Sequence, residues 1–187
     1  MYGLINKAVR SLVVDNFGLD TWNRIRKKAG VEEEVFVAME RYPDETTYAL
    51  VGAASEILEI PAETVLETFG VYWVKFADEH YGELMKSAGS TFPEFLANLD
   101  QMHARVQLSF PELVPPSFRS SVAQDQRIRL DYFSERDGLA PLAVGMLRGV
   151  AQRFSVELDV THSRSDDGGH DVFHIAYKAA GTDGSSS

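Results

Sequence analysis

Apolar residues recur at helical spacing as far as Phe110 and then switch to two-residue alternation, so the chain must join a helical part to a sheet. Leu4, Ile5, Ala8, Val9, Leu12 and Val13 form one inward stripe of a helix over Gly3–Asn16. Asp20 then caps a second helix carrying Trp22 and Ile25, closed at Ala29-Gly30. Asp44 fits the cap of a helix through Leu58, with Leu50, Val51, Ala54 and Ile57 turned inward. Pro61 suits the first position of a helix whose buried face, Val65, Leu66, Phe69, Tyr72, Trp73 and Phe76, is aromatic enough to lie against something large. A further helix, Phe92–Phe110, places Leu96, Leu99, His103 and Val106 on one face, which turns His103 indoors.

Pro111, Pro115 and Pro116 end that helix. Ile128, Leu130, Tyr132, Ser134 and Arg136 then alternate with Arg127, Arg129, Asp131, Phe133 and Glu135, the rhythm of a strand. A helix over Ala140–Phe154 follows, its Ala143, Gly145 and Gly149 allowing close packing. Val156–His162 and Val172–Lys178 read as a hairpin closed at Asp167-Gly168-Gly169. The polar tail Gly181–Ser187 is expected to be disordered. With no internal repeat, the expected class is α+β, helices first and then helices with an antiparallel sheet.

A chain of 187 residues is long enough for one domain around an enclosed ligand. Its net charge of -10 repels phosphate backbones and argues against nucleic acid as a partner. The absence of cysteine excludes disulfides, thiolate-ligated haem and covalent haem attachment, leaving His, Met, Tyr or carboxylates to hold a metal. No stretch reads as a signal peptide or a membrane span, so a cytoplasmic protein is expected.

One histidine on an apolar helical face is more often a packed core residue than a ligand. Tyr132, Ser134 and Arg136, however, occupy alternate positions and would aim three donors from one strand face, an arrangement suited to a pair of carboxylates. Ile128 and Leu130 turn that face inward, and a buried Arg requires an anion for which the sequence offers no obvious protein partner. Two readings are open: a cofactor bearing carboxylates, or a cofactor-free apolar-ligand or protein-interaction module in which Arg136 pairs with a protein carboxylate.

His103 on its helix, Pro115-Pro116, and Tyr132-Phe133-Ser134-Glu135-Arg136 together resemble the haem nitric oxide/oxygen binding (H-NOX) family, over about residues 1 to 178. The resemblance implies a single haem domain over about residues 1–180, helical to about 60 and α/β from about 61, with haem b (iron protoporphyrin IX) enclosed between the two parts. It implies His103 as the proximal iron ligand, Tyr132, Ser134 and Arg136 on the propionates, Pro116 pressing on the haem, and Ile5, Val9, Trp73 and Leu142 lining the distal pocket. It also implies a sensor rather than an enzyme, in which nitric oxide weakens the iron–His103 bond and the subdomains shift. A histidine kinase or a cyclase is the kind of partner that would read the shift.

Oxygen-holding family members carry a distal tyrosine on the helix after the strand, where this chain reads LAPLAVGML. Losing one hydrogen bond to a charged ligand costs about 1.5–3 kcal/mol, roughly tenfold to a hundredfold in affinity, so nitric oxide and carbon monoxide are the expected ligands. Trp73 could donate from its indole or simply pack. His162, His170 and His174 could form a zinc site, but solvent-facing imidazoles are the simpler expectation, as for His80. Nucleophile-elbow, phosphate-loop and HExxH motifs are absent.

Overall fold

The computed structural model describes residues 1–123 and 127–179, so the expectation for the tail from Gly181 falls outside the described residues. Helix α1 spans Gly3–Lys28 and is broken at Gly18, whose φ of 83° only glycine adopts without strain. The two expected helices are therefore present, but they divide at Gly18 rather than behind an Asp20 cap. Helix α2 is Asp44–Leu58, with Pro43 in the capping position; Asp44 lies inside the first turn and its carboxylate is engaged elsewhere. Helix α3, Ala62–Ser87, begins one residue after Pro61, which sits in the capping position rather than the first turn.

The expected Phe92–Phe110 helix is two helices, α4 (Phe92–Ala97) and α5 (Leu99–Ser109). They part at Asn98, whose side-chain amide donates to the Ala88 carbonyl at 2.9 Å and draws the backbone out of helical geometry. Strands β1 (Ser117–Ala123), β2 (Arg127–Phe133), β3 (Val156–Arg164) and β4 (Asp171–Ala179) form one antiparallel sheet in the order β1-β2-β4-β3. The β3–β4 hairpin turns where expected, with Gly168 at φ 68°. Helix α6 is Ala140–Arg153.

The fold class is α+β. One apolar cluster gathers α1, α2 and the first half of α3 around Trp22, Ile25, Leu50 and Phe69. The other lies beneath the sheet, where Ile128, Leu130 and Tyr132 of β2 and Phe173 of β4 face Phe95 and Leu147. Helices α3 and α6 approach backbone to backbone: a Cβ on Gly145 would collide with the Glu67 carbonyl, and one on Gly149 would sit 2.8 Å from Val74 Cβ. Both helices contribute to both clusters, with Leu142 in the first and Ala143 in the second.

Candidate functional site

Helix α5 is fixed to the sheet at its first turn. The Asp100 carboxylate accepts from the Phe118 amide at 2.7 Å and from the Ser117 hydroxyl at 3.0 Å. His103, three residues further along, is thereby set over Phe118, ring centroids 5.7 Å apart. Phe118 pairs across the ladder with Tyr132, their centroids 5.3 Å apart. His103 and Tyr132 are thus two aromatic contacts from each other through a residue that the sequence reading did not single out.

His103 is half-buried, and burial lowers its imidazole pKa below the usual histidine value, against the opposing pull of the Pro116 carbonyl and Asp100. Its Nδ1 is enclosed without a well-formed hydrogen bond. A neutral imidazole with an orphaned buried nitrogen is at odds with an ordinary core histidine, which would be satisfied, and it has the donor chemistry that a ferrous iron accepts. The residues present fit a haem on this count. Pro116 lies just before β1, and its carbonyl is near enough to the imidazole to oppose the lowering of its pKa.

Tyr132 is 3% exposed, and burial raises its phenol pKa while the Ser134 hydroxyl and Arg136 oppose that rise. Strand β2 ends at Phe133, so Ser134 and Arg136 are not on the strand as the alternation suggested. They lie in the following bend, where the Ser134 hydroxyl accepts from the Arg136 amide at 3.0 Å, a serine turn that folds both side chains back toward Tyr132's end of the sheet. Arg136 has a protein partner after all: Nε donates to Asp44 Oδ2 at 2.6 Å, and Nη1 to the Val114 carbonyl at 3.1 Å. Asp44 also pairs with the Met1 amine. Among the described residues Nη2 has no hydrogen-bond partner, which leaves one arm of the fork for an anion.

Ile5, Val9, Trp73 and Leu142 come together in a single apolar cluster from three helices. The Trp73 ring stacks on Phe76, 5.8 Å between centroids and 18° between planes, so it packs as an aromatic-core residue. His162 and His170 are not simply solvent-facing: each meets a carboxylate, Asp171 at 2.7 Å and Asp131 at 2.9 Å, and the His170 ring stacks on Phe133. Among the described residues no three candidate metal ligands cluster, and no helix is long and apolar enough to cross a membrane.

A half-buried imidazole on a helix beside the Tyr-Ser-Arg end of a four-stranded sheet defines a class of haem-binding domain. The Haem-NO-binding profile matches residues 2–162, and the chain belongs to that family, the H-NOX domains. It is 33% identical over 165 residues to soluble guanylate cyclase gcy-32 of Caenorhabditis elegans, and 32% over 160 residues to gcy-35 of the same organism. These alignments take in 86% and 82% of this chain but 24% and 23% of the cyclases, so the chain spans about a quarter of their length. In fold it is similar to an H-NOX protein from S. oneidensis in the Fe(II) state, with a TM-score of 0.87 and 22% identity, covering 97% of this chain and 98% of the other. An H-NOX protein from S. oneidensis in the Fe(II)NO state, without the three alanine substitutions of the former, gives 0.84 at 23% identity, covering 95% and 99%.

Proposed function

We propose that this chain is a haem-based sensor of nitric oxide and carbon monoxide, one domain over about residues 1–180, acting through a separate or appended effector of the kinase or cyclase kind rather than by catalysis of its own. The observation that carries the reading is the half-buried His103, whose enclosed Nδ1 has no hydrogen-bond partner, set through Phe118 at the Tyr132 end of the sheet. His103 would hold the iron; Tyr132, Ser134 and the spare arm of Arg136 would take the propionates; Ile5, Val9, Trp73 and Leu142, none of them a tyrosine, would shape an apolar gas pocket. When bound, haem b would supply a ferrous iron able to take up the gas, with His103 as its protein ligand.

What the chain supplies is a lightly anchored lever. In helix α5 Leu99 is the one buried residue, with Met102, His103, Val106 and Gln107 half-buried, so apart from this single stripe the helix has little burial to keep it in place. The Asp100 bonds to β1 would act as its hinge. The Arg136–Asp44 pair is what the haem-free alternative requires, and a visible spectrum separates the two: a Soret band after haem addition supports the sensor, and a colourless protein supports the alternative. His103→Gly should hold haem stably only when free imidazole is supplied. Wild-type haem retention in that variant without imidazole would sink the assignment.

A further inference from the structure

We propose that Tyr48 is a further carboxylate-binding residue of the haem site, its hydroxyl donating to a propionate from the helical side while Tyr132, Ser134 and Arg136 do so from the sheet. This rests on the haem reading above. Asp44 and Tyr48 are one turn apart on the same face of α2. That face lies against the bend after β2, where Asp44 takes Arg136 Nε and the Tyr48 hydroxyl reaches the Asp137 carbonyl.

The second contact, at 3.5 Å, is long for an O–H···O bond, so the phenol proton is poorly used. Tyr48 is 39% exposed, and a phenylalanine would fill its place equally well; the hydroxyl is the part left without a structural task. Burial raises the phenol's pKa first of all, and Asp44 adds to that rise while Arg136 opposes it, so the group keeps its proton and remains a donor at neutral pH. Tyr48 is close enough to Tyr132 to influence its ionisation. The exposed carboxylates of Asp137 and Glu45 also raise the Tyr48 pKa and so help keep its proton on, and Asp44 is already paired. A carboxylate arriving at the free arm of Arg136 would therefore meet a second donor carried by a different layer of the fold.

The test is haem loss from the full chain to excess apomyoglobin, comparing wild type with Tyr48→Phe. With natural haem the variant should lose its cofactor about tenfold faster, the value of one hydrogen bond to a charged group. With haem dimethyl ester, whose carboxylates are blocked, the two proteins should lose it at the same rate. Equal rates with natural haem, or the same acceleration with the ester, would overturn the role of Tyr48 while leaving His103 ligation intact. Wild-type protein that takes up no haem would overturn the parent reading and this one with it.

Discussion

Burial alone would push the Asp44 carboxyl upward, yet the Met1 amine and the Arg136 guanidinium hold it below the ordinary value of 3.8. Because the native pKa is the lower of the two, the unfolded chain binds more protons between them. The stabilisation is therefore complete above about pH 3.8 and is lost as pH falls through the native value. Asp44→Asn should flatten the acid limb of a melting-temperature profile below about pH 4; an acid limb identical to wild type would show that the carboxylate is not held this way. This partnership could not be read from the sequence, because 92 residues separate Asp44 from Arg136 and a capping role explained Asp44 locally. Tyr132 and His103, by contrast, were legible, since each lies on an apolar periodic face where a polar group stands out. Phe118 was not, because one aromatic in a polar run carries no such contrast.

Elements whose apolar residues keep a clear period are legible in the sequence, whereas a boundary set by a side-chain hydrogen bond, or a strand without alternation, is not. Helix α6 matched to within a residue because its small positions follow helical spacing. Strand β1, Ser117–Ala123, was missed because SFRSSVA lacks an apolar alternation; the ladder to β2 and the Asp100 bonds, not its own composition, make it a strand. The break at Asn98 was hidden because the apolar residues keep helical spacing across it. The α3–α6 contact, for which small residues were expected, also makes a quantitative claim. Gly145→Val must drive the Glu67 backbone away from α6, at about 1–3 kcal/mol for overpacking. Urea denaturation should show a loss of that size, and a variant as stable as wild type would mean that the helices are free to separate.

At the scale of the whole molecule, two apolar clusters meet along α3 and α6, and those helices distribute their residues between both. Tyr132 belongs to the cluster beneath the sheet, whereas Ile5, Val9, Trp73 and Leu142 belong to the helical one; the proposed haem would lie between the two. Leu142 is the position where α6 enters the helical cluster, so a donor placed there would face the proposed gas pocket. Leu142→Tyr should add a hydrogen bond to bound oxygen, which carries negative charge, worth about 1.5–3 kcal/mol or roughly tenfold to a hundredfold in affinity. After anaerobic reduction and exposure to air, the wild type should show no lasting oxy spectrum and the variant should show one. Because nitric oxide and carbon monoxide draw less charge, their affinities should change far less. If the variant binds ferrous haem and still shows no oxy spectrum, Leu142 does not reach the gas, and the pocket must be lined by another face of α6.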